Sequence, residues 1–224
     1  EYHWLVTQGI EVSDLYNLED AHTTLSNTFI YSGLKIFGGI DIDGIALRLQ
    51  EAQKWFFEFV EKRIQSFGMY QDAITPNQAY PFLFHSGISS SLNIGLITPQ
   101  QILDHVLPLA HLKNIETIEG FVRQIIGWRE YSRYIYHLYG GWLRRQNYWG
   151  HRRRLSKMWY EGTTGIAPLD DAIQQAFRTG YLHHILRLMV VANVMNLAEI
   201  HPDDVYKWFM EFSVDSWDWV MVYN

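Results

Sequence analysis

Apolar side chains recur three or four residues apart along most of this 224-residue chain, and no stretch alternates strictly between apolar and polar residues. The first pattern is typical of amphipathic helices, whereas strict alternation would indicate half-buried strands. The pattern is clearest in residues 45–67, where Trp55, Phe56, Phe59 and Ile64 recur at helical spacing, with charged residues between them. The sequence therefore predicts an all-α fold of roughly eight helices.

The predicted helices leave an irregular region at the start of the chain. Residues 1–44 have a mixed composition with turn signals at Phe37-Gly38-Gly39, and we expect a lead-in or linker there. Residues 45–224 form the helical domain. Its helices are predicted at 45–67, 91–97, from Thr98 onward, and at 117–139, 169–179, 182–197 and 202–212.

Charge is distributed unevenly along the chain. The formal net charge is −6, but residues 120–160 carry +8 and the remainder carries −14. The same stretch is rich in tryptophan and tyrosine. Arginine binds phosphates and aromatic rings stack on unpaired bases, so this composition favours a nucleic-acid surface. A solvated loop beside an aromatic core has the same composition, and both interpretations remain open at this point.

Polar residues interrupt the otherwise apolar segment 182–197. His183 and Arg187 are four residues apart and share a helical face, with His184 beside them. A buried arginine requires an acidic partner, and Asp215, within an aromatic run, is a candidate. Such a pair could join two helices, or it could hold a polar heterocycle by its ring N–H and carbonyl. A histidine in a cleft could also move protons, although spacing alone favours a structural role for each histidine.

Residues 84–91 combine hydroxyl groups with a glycine just before a predicted helix. Such a stretch suits an anion site, because the first N–H groups of a helix have no partner within it. Serine runs are more often simple turns, and the lysine and glycine spacing of a P-loop is missing.

Two classes of function are disfavoured by what the sequence lacks. There is no cysteine and no His-Glu-x-x-His motif, so we expect no metal site within these residues. No apolar run is long enough to span a bilayer, so we expect no membrane partner.

Four segments, in order and at matching spacing, resemble the photolyase and cryptochrome family. They are FGMYQDA at 67–73, FHSGISSSLNIG at 84–95, FVRQIIGWREY at 121–131, and the stretch 162–190 that leads to the terminal VDSWDWV. They are most similar to the deoxyribodipyrimidine photolyase-related branch, the bacterial iron–sulfur (6-4) photolyases. The resemblance covers roughly residues 55–224 and implies a helical FAD-binding domain. Such a domain normally follows an N-terminal α/β antenna domain, which we expect to be missing from this piece.

The resemblance implies that FAD is bound noncovalently in a U-shaped conformation. Tyr70 would flank the cofactor, and Arg187 and Asp215 would lie beside its isoalloxazine ring, with the aspartate contacting ring N3–H. Met221 stands near the position that faces flavin N5, where relatives have a polar residue. The phosphate-binding turn would contain His85, Ser86, Ile88 and Ser89. A threonine is usual at the first of these four positions.

The reaction implied is light-driven repair of an ultraviolet pyrimidine dimer, of the (6-4) type, in DNA. Reduced FAD would pass an electron to a lesion flipped out of the duplex. His183 and His184 would be catalytic, with a histidine as proton donor. The expected contacts to the lesion and to DNA phosphates are Trp128, Arg129, Arg144, Arg145, Arg152, Arg153 and Arg154. The expected carriers of electrons to the flavin are Trp208, Trp159 and Tyr160.

Some features depart from the iron–sulfur branch. Its cluster requires four cysteines, but the first position falls near Pro168 and the others would follow Asn224, so no cluster is possible within this piece. Residues 162–169 (GTTGIAPL) instead resemble the Gly-x-Thr-Gly turn of ordinary photolyases. The resemblance leaves the antenna chromophore unknown. We expect a monomer in a bacterial-type cytoplasm, associated with the nucleoid.

Three functional hypotheses follow. The first is a DNA photolyase. The basic segment within residues 120–160 and the histidines His183 and His184 favour it. The second is a cryptochrome-like photoreceptor with the same cofactor and no repair activity, which Met221 favours slightly. The third is a flavin-free helical module that binds nucleic acid.

Overall fold

The computed structural model describes residues 49–75, 80–111 and 114–223, and most of these residues are helical. The α-helices in chain order are α1 (Leu49–Lys62), α2 (Ile64–Tyr70), α3 (Ser89–Asn93), α4 (Pro99–Val106), α5 (Ile115–Arg123), α6 (Arg129–Leu143), α7 (Met158–Glu161), α8 (Ala167–Thr179), α9 (Asn193–Leu197), α10 (Pro202–Phe212) and α11 (Asp218–Met221). A 3₁₀ helix follows α4 at Leu107–His111. Within the described ranges there is no strand, only an isolated bridge between Arg153 and Ile200. The predicted all-α fold is confirmed, and the expected lead-in at 1–44 lies outside the described residues.

Local sequence signals account for several helix ends. Thr98 caps α4, because its side chain accepts a hydrogen bond from the Gln101 N–H while the Gln101 side chain accepts one from the Thr98 N–H at 2.8 Å. The helix predicted at 45–67 is divided at Arg63, whose φ of −121° is not helical. The Arg63 guanidinium lies over the rings of Trp55 and Phe59, 5.6 and 5.7 Å from their centroids.

Two π-helical segments lie where the sequence predicts uninterrupted α-helix. The first, Gln124–Trp128, joins α5 to α6, and the second, Ile185–Ala192, precedes α9. A π turn adds a residue to the α-helical turn and rotates the side chains that follow it, and such turns are frequent at functional sites. The simple apolar period conceals them, because both segments retain mainly apolar residues.

The described residues form two apolar cores. The N-terminal core is built from α1, α2, α4, α5 and the loop before α3, and its most buried members include Phe59, Ile64 and Ile102. The C-terminal core is built from α8, the second π-helical segment and α10, and it encloses Trp208 completely. None of the described helices is both long and apolar enough to cross a bilayer.

Candidate functional site

A cavity of about 460 Å³ is lined by members of both cores. Its walls come from the loop before α3, from both π-helical segments and from residues around α11. Its charged lining residues are Asp72, Arg129, Arg187 and Asp215. A cavity of this volume, with apolar walls and a few convergent polar groups, has the properties of a small-molecule site.

Residues 84–91, the serine-rich turn, form one side of the cavity. Ser86, Ile88 and Ser89 are lining residues. The Trp55 indole N–H donates to the Ser86 carbonyl at 2.7 Å and fixes the start of the turn. Gly87 has φ +67°, and a Cβ there would lie 2.9 Å from the Phe82 ring. The turn therefore requires glycine both for its backbone conformation and for its close packing.

The predicted Arg187–Asp215 pair exists and lies in the cavity wall. The Arg187 Nη2 donates to Asp215 Oδ1 at 2.7 Å and to the Leu182 carbonyl at 3.0 Å. Both side chains are buried, and the Arg187 Nε–H has no protein partner. The Asp215 carbonyl in turn accepts from Asn93 at 3.0 Å. The pair thus joins two chain segments and also leaves a buried donor beside the cavity.

The predicted histidines occupy different positions. His183 is almost completely buried and stacks on His85, with ring centroids 4.8 Å apart and planes 12° apart. Burial, followed by His85, His184 and Arg187, lowers the pKa of His183 to about 3, so its ring is neutral. His184 and His85 line the cavity, whereas His183 lies behind His85. Burial and Arg187 also lower the pKa of His184.

The first π-helical segment and the start of α6 contribute Trp128 and Arg129 to the cavity lining. The Trp128 ring lies 6.0 Å from that of His184. The Arg129 guanidinium lies 5.2 Å from the Trp219 ring centroid and donates to Asn93 at 3.2 Å. An aromatic ring, an imidazole and a guanidinium therefore converge on the same side of the cavity.

Two predicted cofactor contacts lie elsewhere. Tyr70 is 44% exposed and stacks on Phe84 with centroids 5.0 Å apart, and it does not line the cavity. Met221 packs against the C-terminal core, whereas its neighbours Val220 and Tyr223 line the cavity.

The basic segment contains two kinds of arginine. Arg144 donates to Asp218, which also accepts from Tyr136 and Tyr206. Arg154 pairs with Asp204 at 2.7 Å, and Arg153 lies 3.6 Å from Glu199. Arg145 and Arg152 are exposed and form no ion pair within the described ranges. These two guanidinium groups can bind an external anion without giving up an internal partner.

The three predicted electron carriers belong to one aromatic cluster in the C-terminal core. The Trp208 indole N–H donates to the Trp159 carbonyl at 2.9 Å. The Phe212 ring lies 4.8 Å from that of Trp208 and 5.8 Å from that of Tyr160. The Trp208 and Tyr160 rings thus both pack against Phe212, and none of the three predicted carriers lines the cavity.

Sequence reasoning missed several residues of the cavity. The Asn93 side chain donates to the Asp215 carbonyl and accepts from Arg129. The Arg129 guanidinium packs over the Trp219 ring. Asp72 is a further acidic lining residue. Each lies in a segment that the sequence analysis had singled out, but their type alone gave no functional signal.

Comparison with known proteins identifies relatives of the chain. A family model described as the FAD binding domain of DNA photolyase matches residues 121–223. A (6-4) photolyase of Agrobacterium fabrum is 33% identical over 190 residues, which are 84% of this chain and 37% of that protein. An uncharacterized protein of Acanthamoeba polyphaga mimivirus is 45% identical over 118 residues, covering 50% of this chain and 86% of that protein.

A solved structure has the same fold. The crystal structure of a bacterial class III photolyase from Agrobacterium tumefaciens matches with a TM-score of 0.67 at 22% identity. The match covers 82% of this chain and 40% of that one. The chain thus spans well under half of the length of either photolyase.

Proposed function

Because this chain belongs to the photolyase and cryptochrome family, we propose that it binds FAD in the cavity and acts in light-driven repair of ultraviolet-damaged DNA. One observation carries the proposal. The Arg187–Asp215 pair and the serine-rich turn are far apart in the sequence, yet they line the same cavity. A pair that only joined helices would not need to face a polar turn across an open space.

The residues present fit a flavin dinucleotide. The unpartnered Arg187 Nε–H is a buried donor for a carbonyl, and the Asp215 carboxylate is an acceptor for a ring N–H. Ser86 and Ser89 offer hydroxyl groups to a pyrophosphate. FAD, when bound, supplies the light-excited electron, and the residues of the chain bind it, orient it and exclude water from it.

The wall formed by Trp128, Arg129 and His184 is the proposed lesion pocket. An indole can stack on an extruded base, and a guanidinium can bind its phosphate. His184 would be neutral near pH 7 in the free chain, because burial and Arg187 lower its pKa. Phosphates of bound DNA would raise that pKa and favour the proton-donating form. The (6-4) lesion is proposed because of this imidazole and because one relative is named a (6-4) photolyase.

The test uses the purified chain, FAD and oligonucleotides that carry either a (6-4) photoproduct or a cyclobutane dimer. We expect the absorption spectrum of a bound flavin. After the flavin is reduced and exposed to blue light, we expect the (6-4) photoproduct to be converted back to undamaged pyrimidines. Bound flavin without repair of either lesion would favour the cryptochrome hypothesis. A colourless protein that takes up no FAD would contradict both flavin hypotheses.

The role of His184 has its own prediction. His184→Ala should retain FAD and lower the rate of (6-4) repair by about 100-fold or more, because it removes the proton donor. The matched control is His137→Ala, on the exposed side of α6 and away from the cavity, which should repair normally. Equal rates in the two variants would exclude a catalytic role for His184.

A further inference from the structure

The stacked pair His85–His183 is an unusual feature of the cavity floor. Both ring nitrogens of His183 and the Nε2 of His85 are buried and have no hydrogen-bond partner. Because the rings are nearly parallel, these nitrogens cannot bond to one another across the stack. Unpartnered buried polar groups are costly and require an explanation. His85 lines the cavity next to the serine-rich turn, so the explanation lies in what the cavity binds.

The tautomer of His85 is fixed by its surroundings. A hydrogen bond between its ring and the Gln71 main chain favours the protonated imidazole, which indicates that a ring N–H donates to the carbonyl. Since Nε2 has no partner, this donor is Nδ1, and the Nε2 of the neutral ring is a bare acceptor. A phosphate oxygen is also an acceptor, so a bound phosphate and the neutral ring are electrostatically mismatched.

Burial is the largest cause that lowers the pKa of both histidines. Charged groups of both signs act on His85, because Arg63 lowers its pKa and Asp72 raises it. The Arg187 guanidinium lowers the pKa of His183. His184 lowers the pKa of both rings only when it is itself protonated. An anion in the cavity would oppose the effect of burial.

We propose that the His85–His183 pair takes up one proton when a pyrophosphate-bearing cofactor enters the cavity. The inference rests on the proposed FAD site and deepens it. The proton goes to the buried Nε2 of His85, a residue of the cavity lining, and the two negative charges of the pyrophosphate stabilise the imidazolium through space. His183 stays neutral as its stacking partner, because two stacked cations would repel each other.

The consequence is a pH-dependent affinity. Where free His85 is neutral and bound His85 is protonated, each unit of rising pH should weaken FAD binding by up to about tenfold. Riboflavin, which has no phosphate, should bind without this dependence. A histidine at this position would thus make cofactor retention depend on pH, whereas a hydroxyl side chain would not, because it does not titrate in this range.

The experiment is calorimetric titration of the chain with FAD from about pH 5.5 to 8, in buffers of different ionisation enthalpy. The unaltered chain should take up close to one proton per FAD, and His85→Thr should bind FAD with no proton uptake. The exposed control His137→Asn should retain the uptake. Absence of proton uptake by the unaltered chain would contradict the proposal even if a variant fails to fold.

The outcomes separate this inference from the proposed function. FAD that binds without proton uptake, or uptake that persists in His85→Thr, would overturn the role of the pair and leave the FAD site intact. Uptake lost in His184→Asn would assign the proton to that residue instead. A chain that binds no FAD at any pH would contradict the proposed function and this inference together.

Discussion

At the residue scale, two glycines on either side of α3 adopt left-handed backbone conformations. Gly87 is held against Phe82 and Trp55 in a left-handed conformation. Gly95 has a similar φ of +76°, but a Cβ there would meet nothing within 4 Å. A residue with a Cβ would have a strained backbone at both positions, but only at position 87 would it also clash with neighbouring atoms. Comparing substitutions at the two glycines therefore separates the two effects.

Gly87→Ala should lower the free energy of unfolding by about 2–4 kcal/mol, whereas Gly95→Ala should cost about 1 kcal/mol. Gly87→Ala should also weaken FAD binding, since the clash with Phe82 moves the serine-rich turn. Chemical denaturation and flavin titration measure the two effects. Similar losses in both variants would mean that strain, and not packing, decides the cost.

The Arg187–Asp215 pair allows its structural and functional roles to be separated. Arg187→Met should lower the free energy of unfolding by about 3–5 kcal/mol, because it leaves Asp215 buried without its cation. The double variant Arg187→Met with Asp215→Leu should recover most of that loss, because two apolar side chains can replace a buried ion pair. Neither variant should bind FAD. A stable double variant that still binds FAD would reduce the pair to a purely structural contact.

At the element scale, the sequence predicted where helices lie better than how they are joined. The capping signal at Thr98-Pro99 correctly places the start of α4. The break at Arg63 was missed, because Phe59 and Ile64 keep the apolar face continuous across it. The π turn at Gln124–Trp128 was missed for a related reason, since one extra residue hardly alters a short apolar pattern.

The short helix α11 depends on contacts that no periodicity reveals. Asp218 accepts hydrogen bonds from Tyr136 and Arg144 of the α6 region and from Tyr206 of α10. Partial burial acts to raise the pKa of Asp218, but these hydrogen bonds outweigh it and the pKa lies below its ordinary 3.8. These hydrogen bonds to Asp218 fix the position of α11. This helix contains Trp219, whose ring packs against the Arg129 guanidinium.

Asp218→Asn should lower the free energy of unfolding by about 1–2 kcal/mol near neutral pH. Because the folded pKa is depressed, the carboxylate stabilises the fold above pH 3.8, and this contribution is lost as the pH falls through the folded pKa. The gap between unaltered chain and variant should therefore close in acid. The control Asp104→Asn, an exposed position on α4, should show little difference at any pH. A gap that persists unchanged in acid would contradict this role for the carboxylate.

At the scale of the whole molecule, the site could be predicted in part. The resemblance assigned the serine-rich turn, Arg187 and Asp215 to the flavin and Trp128 to the lesion, and the structure places Ser86, Ile88, Ser89, Arg187, Asp215 and Trp128 in the lining of one cavity. It could not exclude Tyr70 from the lining, because stacking on Phe84 is decided by packing across the fold. The net charge of the basic segment also does not distinguish its arginines from one another. Arg144, Arg153 and Arg154 already face carboxylates of this chain.

This distinction gives a prediction for DNA binding. Arg145→Ala combined with Arg152→Ala should weaken binding to duplex DNA and reduce the slope of log K against log salt by about 2, because each phosphate contact releases close to one counterion. Arg153→Ala combined with Arg154→Ala should lower the slope less, since those side chains already face Glu199 and Asp204. Lys54→Ala, an exposed charge change on α1, is the control for net charge. Fluorescence anisotropy over a range of salt concentrations measures all three. Equal slopes for both arginine pairs would mean that DNA displaces the internal acids, and unchanged slopes would remove this segment from the DNA surface.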